Sequence, residues 1–292
     1  MRQRRIGNLS VGEIGLGAMH FSFAEPRDDD RSIRAVHAAL DAGVTLIDTA
    51  LCYTTARFRC ENEWGLNESH NEWVVAKALA NHPKRGEVLV ATKGGHYRDG
   101  DAFPKDGRPE SIRAHCEISL RTLGVEAIGL YQLHWPDVDV PIAETMGAFA
   151  DLQREGKVRM VGGSNFSVEQ IEEALGVCDL VSVQNRFSPD WQDDRVTMDH
   201  CAANGIAYLP WSPLGGGLKA KTLGEAHPGF QKVADAHGVT VAQTVLAWHL
   251  AQSPTVIPIP GTRHAESIVD AAAASVLDLT ADDLALLNAD AP

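Results

Sequence analysis

Four residues of complementary chemistry stand at the ends of apolar runs. In VTLIDTALCY, Val44 to Tyr53, an aliphatic run stops at Asp48 and the segment closes on Tyr53. In VLVATKGG, Val88 to Gly95, Lys93 comes just past the apolar stretch, and in IGLYQLHWPD, Ile128 to Asp137, His134 does the same. A tyrosine with an ordinary pKa of about 10 is a reluctant proton donor. A buried lysine beside it, kept cationic by a carboxylate, would stabilise the phenolate and bring that pKa down. Asp48, Lys93 and Tyr53 fit those parts, while His134 can donate a hydrogen bond to a carbonyl oxygen and stabilise developing negative charge. The set suits protonation of an oxygen while a hydride arrives at carbon. Singly, each has a plainer reading: Asp48 as a turn former or cap, Lys93 as a solvated loop residue, His134 as a satisfied core histidine, Tyr53 as packing.

What must position them is a series of parallel strands, because continuous β-branched and aliphatic runs suit strands covered on both faces. Arg4 to Ile14 alternates around Gly7-Asn8 and reads as a hairpin, followed by a first core strand over Glu13 to Gly17. Helices are expected over Asp29–Ala42, Asn71–Ala80, Pro109–Leu123, Ile142–Glu155, Val168–Leu175, Arg195–Ala203, Phe230–Ala236, Val241–Gln252 and Ala265–Ala274, with a last external helix over Asp282–Leu287. Strands are expected at Val44–Ile47, Glu87–Ala91, Ile128–Leu133, Val158–Gly162, Leu180–Gln184, Ile206–Leu209 and Thr255–Ile259. The stretch from SPLGGG onward reads as irregular. Leu51 to Ser69 reads as a long functional loop, in which Trp64 and His70 hint at a polar or aromatic substrate. Eight strands with helical crossovers, and no G-x-G-x-x-G after the first strand, favour an α/β (β/α)8 TIM barrel with an N-terminal β-hairpin and extra helices near the C-terminus. Residues 1–292 then make a single barrel domain.

Composition narrows the partners. With 292 residues, 44% hydrophobic and 22% charged, the chain is in the ordinary globular range, and its formal charge of -13 argues against nucleic-acid and anionic-membrane binding. No signal peptide or transmembrane segment is legible, so a cytoplasmic protein is expected. Its five cysteines are odd in number and scattered, which argues against a disulfide framework. Cys52 and Cys60 with His70 lack the tight spacing of a structural zinc site, and no metal is expected.

The motifs D-T-A-x-x-Y (Asp48 to Tyr53), A-T-K-G-G (Ala91 to Gly95) and Y-Q-L-H-W-P-D (Tyr131 to Asp137) resemble the signatures of the aldo-keto reductase family. So do GGSNFS from Gly162, SVQNRFS from Ser182, PWSPLGGG from Pro210 and PIPGT from Pro258. The resemblance spans essentially the whole chain. It implies a TIM barrel binding NADPH, ahead of NADH, in extended form, and a small-molecule carbonyl substrate. It also implies a catalytic tetrad of Asp48, Tyr53, Lys93 and His134 with Tyr53 as general acid. By the same resemblance Ser164, Asn165 and Gln184 hold the nicotinamide carboxamide and Trp211 stacks on its ring. Ser212, Leu214, Gly215 and Gly217 line the pyrophosphate, and Gly261, Thr262 and Arg263 take the 2′-phosphate end. Ser267 and Asp270 fall at adenine-side positions, where the family often has a basic residue and a Glu-Asn pair; here Asp270-Ala271 replaces that pair. His20, Phe21, Trp135 and Phe166 are substrate-pocket candidates. The natural substrate and the oligomeric state stay open. Other readings are a cofactor-binding regulatory subunit resembling potassium-channel β-subunits, an NAD-dependent sugar or alcohol dehydrogenase of the same family, and a metal-dependent barrel hydrolase using Asp48 and His134.

Overall fold

The computed structural model describes residues 1–23, 26–54, 69–217 and 219–291. The chain begins with an antiparallel hairpin, β1 (Gln3–Ile6) and β2 (Leu9–Gly12), turning at Gly7 with φ +55°. After β3 (Leu16–Gly17) come a short helix α1 (His20–Phe23), α2 (Asp29–Asp41), β4 (Leu46–Asp48) and α3 (His70–Leu79). A 3-10 turn at Arg85–Glu87 leads to β5 (Leu89–Gly94), α4 (Pro109–Leu123), β6 (Ile128–Leu133), α5 (Ile142–Arg154) and β7 (Val158–Ser164). Then follow α6 (Val168–Leu175), β8 (Leu180–Gln184), α7 (Arg195–Ala203) and β9 (Ala207–Tyr208). The chain ends with α8 (Lys219–Ala226), α9 (Pro228–His237), α10 (Val241–Gln252), α11 (Ala265–Ala273) and α12 (Ala281–Asp290).

Helix boundaries follow local chemistry. Pro109 opens α4, where a missing N–H costs nothing, and Gly124 closes it in the left-handed region at φ +64°. Ser167 and Gln170 form a reciprocal capping box on α6, and Thr280 with Asp283 does so on α12. Two elements depart from expectation. The stretch after SPLGGG, expected to be irregular, contains helix α8, and α1 interrupts the loop after β3. α1 is a single turn, and α8 buries Leu223 with no apolar stripe around it, so neither carries a helical period to read.

β3 to β9 form one parallel sheet in sequence order. The expected eighth strand, Thr255–Ile259, is not a regular strand, yet it closes the curl. On one side it receives Gly15 N at Pro258 O (2.9 Å) and Gly17 N at Pro260 O (3.0 Å). On the other, Ile257 N donates to Tyr208 O (2.8 Å) and Ile259 N to Pro210 O (3.3 Å). Pro258 and Pro260 have no N–H to give, so a continuous ladder cannot form there.

Strand alternation then sorts the side chains by height. Leu46, Leu89, Ala91, Leu130, Met160, Leu209 and Ile257 pack inside the barrel, and Ile6 and Val11 of the hairpin join them at its amino-terminal mouth. Two residues further along the same strands stand Asp48, Lys93 and Gln132, so the interior changes from apolar to polar at the carboxyl end. Gly162 makes this upper layer possible, since a Cβ there would stand 2.3 Å from Ser182 Oγ and 2.9 Å from Gln132 Cγ. Helices cover the outside over two further apolar clusters, one centred on Phe149, Phe187 and Trp248, the other on Val36, Leu40 and Val74.

Candidate active site

Asp48 ends β4 and Lys93 occupies an inner position within β5, both buried. Lys93 Nζ donates to Asp48 Oδ1 at 2.5 Å and to Thr49 O at 2.9 Å. The other carboxylate oxygen accepts from Gln184 Nε2 at 2.7 Å and Gln132 Nε2 at 3.3 Å. A buried pair tolerates desolvation only when its remaining lone pairs are satisfied, and here the two glutamines do that. Gln132 was not singled out from sequence. Its signal was the inward period, two residues before His134.

Tyr53 lies beyond β4 on a segment stitched to the start of α3. Asn71 N donates to Tyr53 O (3.2 Å), Ser69 Oγ to Ala50 O (2.9 Å), and Thr49 Oγ1 to Asn71 Oδ1 (2.7 Å). The phenol ring is brought 5.2 Å below Lys93 Nζ and 5.6 Å from the His134 ring, edge to face. His134, just past β6, is fixed by its own backbone: its N–H donates to Gly94 O (2.9 Å), and its carbonyl accepts from Asn165 Nδ2 (3.0 Å). All four predicted residues therefore converge.

Their electrostatics correct one expectation. Burial, reinforced by the Asp48 carboxylate, pushes the Tyr53 phenol well above its usual range rather than below it. The resting group is a neutral phenol holding its proton. Burial and then the Lys93 charge push His134 well below the usual imidazole range, so it too is neutral.

These groups open onto a cavity of about 610 Å³. One arc carries Ser164, Asn165, Gln184, Trp211, Ser212 and Leu214, continuing to Gly217 and, across the barrel, to Gly261, Thr262 and Arg263. Asn165 (φ +62°) and Ser212 (φ +52°) are the non-glycine residues with left-handed backbone among those described, and both lie on this wall. Such strain persists only where the surroundings enforce it and concentrates at ligand clamps. Beyond Ser212, Gly216 and Gly217, with φ of +81° and +49°, bring backbone to the cavity wall. Arg263 is tethered through Nη1 to Pro26 O at 2.6 Å. An extended, partly apolar channel with an aromatic ring, a glycine turn and a guanidinium in succession suits a nicotinamide cofactor.

The opposite end is walled by Phe23, Phe103 and Trp135, with Cys52 and His96 close to His134, and His20 lines the cavity against Gly261. Of the predicted pocket residues, His20 and Trp135 line it. Phe21 and Phe166 do not: Phe21 packs into the core behind α1, and Phe166 lies flat over Gly163, where a Cβ would come within 2.6 Å of its ring. Gly215 is behind the lining turn. Ser267 is exposed on α11, and Asp270 is turned away, accepting from Thr240 Oγ1 (2.8 Å) and Gln243 Nε2 (2.7 Å) at the start of α10. Cys52, His96, Phe23 and Phe103 were missed because they occupy aperiodic segments, where no pattern tells a lining residue from a packed one. Of the Cys52, Cys60 and His70 grouping set aside as a zinc site and of the Trp64 hint, Cys60 and Trp64 lie outside the described residues. His70 is committed to Ser22 Oγ (3.0 Å) and Asp29 Oδ1 (3.1 Å).

With this geometry in view, comparison with known proteins is informative. The model of the Aldo/keto reductase family matches residues 13–290. Pyridoxine 4-dehydrogenase from Escherichia coli (strain K12) is 30% identical over 297 residues, covering 97% of this chain and 96% of that protein. The glycerol dehydrogenase of Gluconobacter oxydans superposes with a TM-score of 0.84 at 27% identity, over 99% of this chain and 94% of that one. An aldo-keto reductase from Klebsiella pneumoniae solved in complex with NADPH gives 0.80 at 26% identity, over 100% and 96%. The chain belongs to the aldo/keto reductase family and is an oxidoreductase enzyme built on that family's (β/α)8 barrel. Among the described residues no helix is long and apolar enough to cross a membrane.

Proposed function

We propose that the protein is an NADPH-dependent carbonyl reductase in which Tyr53 is the general acid. The observation that carries this reading is the convergence of a neutral, buried phenol, a buried Lys93–Asp48 pair and a neutral imidazole at one end of a channel suited to a dinucleotide. Bound in the arc from Trp211 to Arg263, the cofactor supplies a hydride to the carbonyl carbon. His134 donates a hydrogen bond to the carbonyl oxygen and orients it. Tyr53 gives that oxygen its proton as negative charge develops. Lys93, held by Asp48, then stabilises the phenolate left behind. Alcohol oxidation uses the same groups in reverse.

The substrate end supports an uncharged, apolar or aromatic aldehyde or ketone. Phe23 stands 6.0 Å from Tyr53 and 6.1 Å from Phe103, each edge to face. Among the described residues the charged side chains lining the cavity are Asp48, Lys221 and Arg263, and the last two stand on the cofactor arc. A polyhydroxylated sugar would find few partners along that wall. The four described cysteines are free thiols, which agrees with a reducing compartment such as the cytoplasm.

Oxidation of NADPH by a panel of aromatic aldehydes, aldoses and diketones tests the reading, and saturable NADPH binding without turnover on any of them would replace it with a regulatory role. Two expectations accompany that assay. Arg263→Ala should raise KM for NADPH about 10- to 100-fold while changing KM for NADH little, the loss expected for one charge-assisted phosphate contact. Equal effects on both cofactors would remove Arg263 from the 2′-phosphate. Secondly, reductive turnover should be flat through neutral pH. Tyr53 carries its proton at every pH below its raised pKa, and His134 is neutral at every pH above its lowered one, so neutral pH lies between the two limits. A fall in kcat on acidification through about 6.5, the ordinary imidazole value, would contradict the neutral His134.

A further inference from the structure

A second kind of ligand is suited to the carbonyl end of the cavity. Cys52 Sγ, one ring nitrogen of His96 and one of His134 all lie within 4.8 Å of one another. Cys52 Sγ is 3.4 Å from His134 Nδ1. A tetrahedral site with Zn–S near 2.3 Å and Zn–N near 2.0–2.1 Å spaces its donors about 3.3–3.6 Å apart, so this pair already has the required separation. The third donor, from His96, lies within 4.8 Å of the other two.

His96 is prepared for such a role by its own bonding. Its Nε2 meets Phe103 O at 2.7 Å, and because a carbonyl only accepts, the ring proton is on Nε2. Nδ1 therefore presents a lone pair, and that nitrogen is buried with no hydrogen-bond partner. A backbone carbonyl holding the far N–H of an imidazole is the arrangement that orients metal-bound histidines. A cation at the cluster would satisfy a nitrogen that otherwise goes unpaired in the interior.

We propose that Cys52, His96 and His134 form a site for a thiophilic divalent cation, zinc by its donor set, whose occupation blocks the carbonyl end of the cavity and stops turnover. The effect on turnover rests on the carbonyl-reductase reading of this end; the binding does not. Three protein donors leave a fourth tetrahedral position for water. As the metal–sulfur bond forms, the cation displaces the Cys52 thiol proton to solvent.

Titration of the purified full-length chain with Cd2+ reads the site independently of activity. One Cd2+ per chain, with the ultraviolet thiolate-to-metal charge-transfer band, is expected in the wild type. The band should vanish in Cys52→Ser, and His96→Gln should weaken binding at least about tenfold. No band, or a band of undiminished affinity in either variant, overturns the site, and the second result would assign the metal to another cysteine. In turnover assays Zn2+ should compete with the carbonyl substrate and not with NADPH, and EDTA should reverse it. Cd2+ bound as expected with turnover untouched by Zn2+ overturns the blocking of the carbonyl end. A chain with no reductase activity would still show or lack the band, so failure of the functional reading is a separate result.

Discussion

Tyr53→Phe is expected to keep NADPH affinity and lose about 10²- to 10⁴-fold in kcat, the range supplied by a positioned proton donor. The substitution removes one oxygen from a ring whose position is set by other means. The backbone of Tyr53 is tied to Ala50 and Asn71, and its ring packs against Phe23 and His134. Nothing in the cofactor arc touches the phenol oxygen's role, so binding and turnover should separate cleanly. Fluorescence titration with NADPH followed by loss of its absorbance in the same sample makes that comparison. The neutral state of Tyr53 in the resting protein sharpens the expectation. A phenol pushed upward by burial and by Asp48 is a weak acid, and it becomes an effective one only when the lysine beside it stabilises the phenolate as it forms. Turnover in the Phe variant close to wild type would remove Tyr53 from the mechanism.

Lys93→Met carries the second large effect, and it has two separable parts. The first is stability. Lys93 is fully buried against Asp48, and removing one partner leaves a buried carboxylate with only Gln132 and Gln184 as donors, a loss of about 3–5 kcal/mol. Denaturant unfolding should show it. The second part is catalytic, because the phenolate of Tyr53 loses the charge that stabilises it. The double variant Lys93→Met/Asp48→Asn distinguishes the two. It removes the uncompensated charge and should recover most of the stability, while kcat stays low. Recovery of turnover along with stability would mean that the pair only supports the fold.

The grouping of the candidate site was legible because it depends on local order. An apolar run that ends in an acid, a lysine or a histidine marks the carboxyl end of a barrel strand, and the period of two along each strand carries the inner side chains upward from Leu46 to Asp48 and from Ala91 to Lys93. Proline at N1 and glycine past the last turn likewise placed both ends of α4 without knowledge of anything it packs on. The family motifs added the expected cofactor residues, and the structure brings most of them to the cavity wall.

Contacts across the barrel were not legible. Gln132 and Gln184 meet Asp48 from strands 84 and 136 residues away, a pairing decided by closure of the barrel. The closing segment itself was expected as a strand, but Pro258 and Pro260 leave it held by alternate hydrogen bonds. Phe21 and Phe166 look like pocket aromatics by position and turn into the core, while Phe23, Phe103 and His96, from segments without period, form the wall. The direction of the Tyr53 pKa belongs to the same class, since it depends on how much water the fold removes from the phenol. A one-dimensional pattern fixes which way a side chain faces its own strand. Burial, and the partner on the far side of the barrel, exist only once the ring is closed.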